Sequence, residues 1–472
     1  MLLKYFYDDK LAHASYMVGC QATGDAIIID PDRNIDHYLE FAAHEEMRII
    51  AATETHIHAD FVSGSRELAA RIGAKLYLSD EGDANWKYQF ADQYDAVLLK
   101  NGDTWKIGNI VFEAWHTPGH TPEHMSFIVT DSAGASRPMG VFTGDFIFVG
   151  DVGRPDLLET AAGVAGTKEK GGRQLFHALQ KARETPDYLQ IWPGHGAGSA
   201  CGKALGAIPT STFGYEKMFN WAFSIDDEDK FVTAVLDGQK DPPPYFAMMK
   251  KLNKQGPPLL SELSEVPELD ATVALDIIRP GAWVVDVRPN SAFAQGHIPG
   301  TISVMLDNSF STYAGWVLPY DQPIYLIVDQ AHLKQALRGL SEVGYDNIKG
   351  YFTPDIVENW ESKTGQALNT ISMVQASEIA DAVVSGEIPA IDVRTSQEYG
   401  DGHPKNAKNI VLGNVKRQLD EIPNTGRIAV SCLGGGRSFV ASSILSAHGF
   451  KGVTNIEGGW RAWAAAKLPV EK

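Results

Sequence analysis

Short apolar runs separated by turn residues open the chain. Leu3–Tyr7, Ser15–Gly19 and Ala26–Asp30 read as strands, the last closed by the turn signal Asp30-Pro31. From about Asn34 to Glu46 apolar residues return at helical spacing, with Ile35, Tyr38, Leu39 and Ala42 on one face. Arg48-Ile49-Ile50-Ala51-Ala52 reads as a buried strand. Ser63-Gly64-Ser65 caps a helix that runs to Ile72 and stops at Gly73, and Lys75–Ser79 is the next strand. Another strand is expected at Ile110–Trp115, and further apolar runs end at Asp145 and before Pro193. Strands and helices alternate, so the fold is α/β, and the hairpin-rich start means the sheet is not purely parallel.

The pattern changes near residue 240. Asp241-Pro242-Pro243-Pro244 and Gly256-Pro257-Pro258 bracket a segment read as unable to continue regular structure, a Pro-rich linker over 241–269. Beyond it the chain repeats itself. Val284-Val285-Asp286-Val287-Arg288 recurs as Ala390-Ile391-Asp392-Val393-Arg394, and Gly296-His297 recurs as Gly402-His403, both at an offset of 106 (392 − 286 and 402 − 296). Duplication predicts two compact α/β units, over 270–365 and 366–472, behind a first domain over 1–240. A chain of 472 residues exceeds what one core supports, which agrees with several domains.

Composition narrows the class. With 44% hydrophobic and 21% charged residues the chain reads as a globular protein, and no apolar run reaches the length of a membrane span. The start lacks the apolar core and small-residue cleavage site of a signal peptide, so a cytoplasmic location is expected. A formal net charge of -18 argues against nucleic acid as a partner. Cys20, Cys201 and Cys432 are too few and too scattered for a disulfide framework.

Four histidine-rich or carboxylate-bearing loops, each after an apolar run, carry the chemistry of the first domain. In Thr55-His56-Ile57-His58-Ala59-Asp60-Phe61 the alternation of an extended segment lets His56 and His58 face one cavity, with Asp60 on the same side. Trp115-His116-Thr117-Pro118-Gly119-His120-Thr121-Pro122-Glu123-His124 places a Pro-Gly turn where it can present His120 to that cavity. Phe142-Thr143-Gly144-Asp145 ends in a carboxylate, and Trp192-Pro193-Gly194-His195-Gly196 delivers a late histidine. His13, His37, His44, His177 and His332 fall outside these motifs and read as solvated or capping residues.

These four ordered elements resemble the metallo-β-lactamase superfamily, an αββα sandwich with its metals at one edge between two sheets. The departure is Phe61. Dinuclear members such as glyoxalase II read HxHxDH, and an apolar ring without a lone pair implies one metal. The persulfide dioxygenase branch of the superfamily holds a single iron by two histidines and an aspartate. Carried over, its ligands are His56, His120 and Asp145, with His58, Asp60 and His195 close by. The cofactor implied is one Fe(II) per chain. Zinc in the same ligands would offer only Lewis-acid hydrolysis. Gly150-Asp151-Val152-Gly153-Arg154-Pro155-Asp156 matches the branch's GRxD stretch, where Arg154 either orients an anionic thiol carrier or makes a structural salt bridge. Cys201, six positions after His195 (201 − 195), is either a redox thiol near the substrate mouth or a buried inert one.

In the second repeat the apolar run Arg427–Ser431 leads to Cys432 and then Leu433-Gly434-Gly435-Gly436-Arg437-Ser438, ahead of a helix with Val440, Ile444 and Ala447 on one side. Backbone N–H groups of such a loop converge on the sulfur and favour a thiolate and any anion attached to it. A cysteine loop ending in arginine also occurs in low-molecular-weight and dual-specificity phosphatases. With the DVR and GH elements and Glu457-Gly458-Gly459-Trp460 the stretch resembles rhodanese. That resemblance implies a Cys432 persulfide held by Leu433, Gly434, Gly435 and Gly436, with Arg437 holding the loop and an anionic substrate. The first repeat has Asp329-Gln330-Ala331-His332-Leu333 in that place, without thiol or glycine, and is expected to be catalytically silent, with a duty in spacing or docking.

As a whole the chain resembles bacterial fusions of a persulfide dioxygenase with two rhodanese-type domains. The resemblance implies oxidation of a low-molecular-weight thiol persulfide by O2 to sulfite, with sulfane sulfur passed through Cys432 to make or use thiosulfate. A zinc-dependent thioester hydrolase of the glyoxalase II type with a sulfurtransferase tail is the alternative. Assembly into a homo-oligomer is compatible with either.

Overall fold

The computed structural model describes residues 1–157, 159, 166–239, 241–279, 281–424 and 426–472. Lys240, at which the first domain is expected to end, lies outside them. The chain divides into two units, Met1–Leu263 with Glu342–Gly344, and Ser264–Ser341 with Tyr345–Lys472. Among the described residues no helix is long and apolar enough to cross a membrane.

Among its described residues the first unit holds two six-stranded sheets. One runs β1 (Leu2–Asp8), β2 (His13–Cys20), β3 (Asp25–Ile29), β4 (Arg48–Thr53), β5 (Lys75–Ser79) and β6 (Ala96–Leu99) in that order. The other contains β7 (Thr104–Ile107), β8 (Ile110–His116), β9 (Met125–Asp131), β10 (Gly140–Gly144), β11 (Gln190–Pro193) and β12 (Ser211–Thr212), again as sequence neighbours. The expected mixture is present, since β1–β3 pair antiparallel and β3–β6 pair parallel.

Strand alternation builds the layers. Tyr16 and Val18 of β2 face the other sheet, where they share one core with Phe112, Phe127, Phe142 and Trp192, while Met17 between them packs with Tyr38, Ala42 and Leu68 of the flanking helices Asp36–His44 and Ser65–Ile72. On the far side Val141 and Ile191 meet Leu175, Phe176 and Leu179 of helix Thr167–Ala182. The result is an αββα sandwich in which each large buried side chain contributes roughly 1.5–3 kcal/mol. At one edge the Tyr16 hydroxyl donates to Pro193 O at 2.8 Å and ties the two sheets together beside the loops after β4 and β11.

The span read as a Pro-rich linker contains a helix, Phe246–Gln255, which belongs to the first unit. Its Phe246, Met249 and Asn253 are buried, so the prolines bound an amphipathic helix and leave its interior free to form.

The second unit contains the duplication. A parallel sheet runs β14 (Ile302–Ser303), β13 (Trp283–Asp286), β15 (Ile324–Ile327), β16 (Ile348–Phe352). A second runs β17 (Ser372–Gln375), β22 (Val453–Glu457), β21 (Ile428–Ser431), β18 (Ala390–Asp392), β20 (Ala407–Asn409), with the same order from β20 to β22. Beside it β19 (His403–Pro404) and β23 (Val470–Glu471) form a short antiparallel pair. The repeated DVR and GH elements do the same work twice. Arg288 grips Asp286 and reaches Gly296 O at 3.0 Å, and Arg394 grips Asp392 and reaches Gly402 O at 2.7 Å. His297 Nδ1 donates to Phe293 O and His403 Nδ1 to Tyr399 O, both at 3.0 Å.

Candidate functional sites

The residues after β4, β8, β10 and β11 meet at one edge of the sandwich. Asp30 at the end of β3 starts the arrangement with φ 51, a left-handed conformation that turns its carboxylate toward the next loop. That carboxylate accepts from Thr55 N at 2.6 Å, Thr55 Oγ1 at 2.9 Å and His58 Nε2 at 3.0 Å. Since the Thr55 hydroxyl spends its proton on Asp30, its oxygen accepts from His56 Nδ1 at 3.0 Å. His56 therefore carries its free lone pair on Nε2.

The same logic fixes two more rings, because a carbonyl can only accept. His120 Nδ1 donates to Arg154 O and His195 Nδ1 donates to Ala12 O, each at 2.9 Å; burial keeps the His120 ring neutral, so its Nε2 carries a lone pair, whereas Asp145 and Asp60 outweigh burial and raise the His195 ring. His124 is different. Its Nε2 accepts the Asp145 N–H at 3.0 Å, so it positions the aspartate and is itself occupied.

His56, His120 and Asp145 bring one ligand atom each to within 4.8 Å of one another, all buried. His120 Nε2 lies 3.3 Å from Asp145 Oδ2, and His56 Nε2 lies 4.0 Å from it. These spacings suit atoms that each stand about 2.0–2.2 Å from a shared ion. His56 Nε2 and both Asp145 carboxylate oxygens are buried without a hydrogen-bond partner. An uncompensated buried carboxylate costs several kcal/mol, so the donor set fits a cation. Burial pushes the His56 and His120 rings below their ordinary pKa, which keeps both neutral and able to ligate.

Asp60 and His195 lie on the other side of Asp145. His195 Nε2 is 3.4 Å from Asp145 Oδ1 and 3.3 Å from Asp60 Oδ2, and with Cys201 these two residues form a second buried group within 4.8 Å. Burial pushes the Cys201 thiol well above its ordinary value. His58 turns to Asp30. Burial opposes its charge, but Asp30 and Asp60 outweigh it and raise the ring to about 9. Phe61 is 1% exposed, and its ring lies 3.8 Å from that of His13 and 4.4 Å from that of His58.

Of the two roles open to Arg154, the structure shows the salt bridge: it is 1% exposed, its Nε and Nη2 bind the two Asp156 oxygens at 2.8 and 2.7 Å, and its backbone carbonyl orients His120. Its charge is neutralised inside the fold. His13 is not solvated. It is 2% exposed, packed against the Phe61 ring and bridged to His195, because β2 brings it to the sheet edge beside the site.

The cysteine site lies in the second repeat. Cys432 leaves β21, and Gly435 N donates to its sulfur at 3.1 Å. Gly435 has φ 102, the left-handed region that permits this loop, and helix Gly436–Ala447 starts beside it. Glu457-Gly458-Gly459-Trp460 supports the loop from behind, with Trp460 N donating to Cys432 O at 2.6 Å and Arg461 N to Leu433 O at 3.1 Å. A Cβ on Gly459 would lie 2.2 Å from Cys432 O, so only glycine allows this approach. Arg437 makes a two-pronged ion pair with Glu398, both contacts 2.8 Å. Burial opposes the Glu398 charge, yet Arg437 holds the carboxyl down at about 2.

Sequence reasoning missed Asp30, Thr55, His124 and Asn253. His124 was visible in the second histidine loop, and Asp30 was visible as a turn residue. Nothing in the sequence pointed to Asn253.

Comparison with known proteins gives the same division. Residues 8–195 match the family model of the metallo-beta-lactamase superfamily, and residues 270–351 and 375–466 match that of the rhodanese-like domain. A crystal structure of a metallo-beta-lactamase from Staphylococcus aureus subsp. aureus COL is 44% identical, with the match covering 75% of this chain and 99% of that one at a TM-score of 0.67. Persulfide dioxygenase ETHE1, mitochondrial, of Bos taurus is 26% identical over 200 residues, 41% of this chain and 68% of that protein. The probable polyketide biosynthesis zinc-dependent hydrolase BaeB of Bacillus velezensis is 23% identical over 227 residues, 48% of this chain and 88% of that protein.

Proposed function

Because the chain belongs to the metallo-β-lactamase superfamily and carries two rhodanese-like domains behind that fold, we propose that it oxidises a low-molecular-weight thiol persulfide with O2 at one iron and moves sulfane sulfur through Cys432. The observation that carries this reading is the donor set. Two neutral imidazoles and one carboxylate converge, and Phe61 fills the place of a further histidine. Such a set suits a non-haem iron with open positions. Similarity to the Bos taurus persulfide dioxygenase supports the same reading.

His56, His120 and Asp145 would hold the iron, which supplies the oxidation of the terminal persulfide sulfur by O2 and water to sulfite, with release of the thiol. Thr55, Arg154 O and the Asp145 backbone bond to His124 fix the ligand orientations before substrate arrives. Asp60 and His195 face the same edge and are placed to accept or hand on a proton. In the second unit the Gly435 N–H stabilises charge on the Cys432 sulfur, and the Glu398–Arg437 pair holds the end of the loop.

A zinc-dependent hydrolase is the second reading. Similarity to BaeB supports it, and Phe61 speaks against the dinuclear form of that chemistry.

Exchange of the two sites tests the proposal. Cys432→Ser is expected to abolish sulfur transfer and leave persulfide-dependent O2 uptake largely intact, while Asp145→Ala does the reverse. Equal loss of both activities from either change would contradict two separate sites.

A further inference from the structure

The helix that begins four residues after Cys432 is buried on almost every side, including Ser442, Ser443 and Ser446 (436 − 432). Part of that cover comes from the first repeat. Ser443 Oγ accepts from Ser303 N at 2.9 Å, Ser446 Oγ meets His297 Nε2 at 2.9 Å, and the Phe439 ring lies 6.0 Å from that of Phe293. The repeat without a cysteine is therefore packed against the sulfur-carrying one at the element that forms its active loop.

One side chain of the first repeat reaches the loop itself. Helix Phe310–Val317 buries Phe310, Ser311 and Ala314 and leaves Tyr313 half-buried on its other side. A methyl group placed on Gly436 would lie 3.1 Å from the Tyr313 hydroxyl. Burial pushes the phenol above its ordinary pKa, with Ser309, Cys432 and Arg437 acting on it as well, so at neutral pH the hydroxyl keeps its proton.

An anion at this loop needs donors. Arg437, a cation of the loop, gives one N–H from each terminal nitrogen to the two oxygens of Glu398, so part of its donor set is held by that pair. The Tyr313 hydroxyl beside Gly436 adds a neutral donor to the backbone N–H groups of the loop.

We propose that Tyr313, from the repeat that lacks a cysteine, is part of the Cys432 site and donates a hydrogen bond to the sulfonate oxygens of a thiosulfate-type substrate. This rests on the sulfurtransferase reading of Cys432. In the first half-reaction the Cys432 thiolate attacks the outer sulfur of thiosulfate. The sulfur–sulfur bond breaks, sulfite leaves with its electron pair, and the outer sulfur remains as a cysteine persulfide. In the second, cyanide attacks that terminal sulfur, thiocyanate leaves and the thiolate returns. Only the first half-reaction has a sulfonate group to bind, so only it depends on the phenol.

Steady-state turnover of the full chain with thiosulfate and cyanide separates the two. Tyr313→Phe is expected to lower kcat/KM for thiosulfate at least about tenfold, since it removes one donor to an anion, and to leave kcat/KM for cyanide within about twofold. Tyr313→His, which keeps a ring donor, is expected to retain more of the thiosulfate value than Tyr313→Phe. Equal losses in both half-reactions, or none in either, would overturn the role of Tyr313 and leave the Cys432 site standing. Absence of any sulfur transfer by the unaltered chain would overturn the sulfurtransferase reading, and this proposal with it.

Discussion

Asn253 Nδ2 donates to the backbone carbonyl of His58 at 2.8 Å, across 195 residues of sequence. The same amide also donates to Phe61 O at 2.7 Å and accepts from Ser63 N at 2.9 Å. A helix between two proline clusters thus pins the loop that carries the first histidines. Asn253→Ala would leave buried carbonyls and the Ser63 N–H unpaired, at about 1–3 kcal/mol for a buried group left without its partner. The expected outcome is a lower unfolding midpoint and weaker retention of metal against a chelator, measured by thermal denaturation and metal analysis. An unchanged midpoint with full metal retention would contradict a positioning role.

Arg154 leads to a different expectation. Its guanidinium and the Asp156 carboxylate are 1% and 7% exposed as side chains and meet at 2.7 Å. Arg154→Met removes the guanidinium from this buried ion pair, a change that costs about 3–5 kcal/mol. Urea denaturation should report that loss. In whatever fraction stays folded, KM for the persulfide should remain near the wild-type value. A large rise in KM without loss of stability would return Arg154 to the substrate.

His297 links pH to the stability of the second unit. It is fully buried, stacked on Phe293 at 3.9 Å between ring centres, and burial lowers its pKa to about 4. The unfolded chain protonates this ring near pH 6.5 and the folded chain only near 4. Between those values the unfolded state binds the extra proton. Stability is therefore complete above about pH 6.5 and falls with pH below it, by up to about 1.4 kcal/mol per unit. His297→Gln removes this contribution, so denaturation at pH 7 and pH 5 should show a smaller drop for the variant than for the wild type. Equal drops would mean that His297 titrates alike in both states.

Much of this molecule was readable from residue order. β5 at Lys75–Ser79 and the helix Ser65–Ile72 stopped by Gly73 arise from local signals, a β-rich alternation and a left-handed residue at φ 68. The duplication showed itself because Asp286 with Arg288 and Asp392 with Arg394 are short-range pairs whose spacing survives copying. What stayed hidden depends on partners distant in sequence. Asn253 meets His58, Ala12 O meets His195, and Tyr313 meets the Gly436 turn only after the chain folds. His13 looked solvated for the same reason, since its ring partner Phe61 lies in another loop. The helix Phe246–Gln255 was obscured because proline signals end elements sharply and say little about the residues between them.

Oxygen uptake by the full chain, reconstituted anaerobically with Fe(II) and then given a thiol persulfide, decides between an iron oxygenase and a zinc hydrolase. Persulfide-dependent O2 consumption is expected, with sulfite formed in equal amount, lost in Asp145→Ala and absent from zinc-loaded protein. No uptake by the iron form, with thioester hydrolysis by the zinc form, would contradict the oxygenase reading.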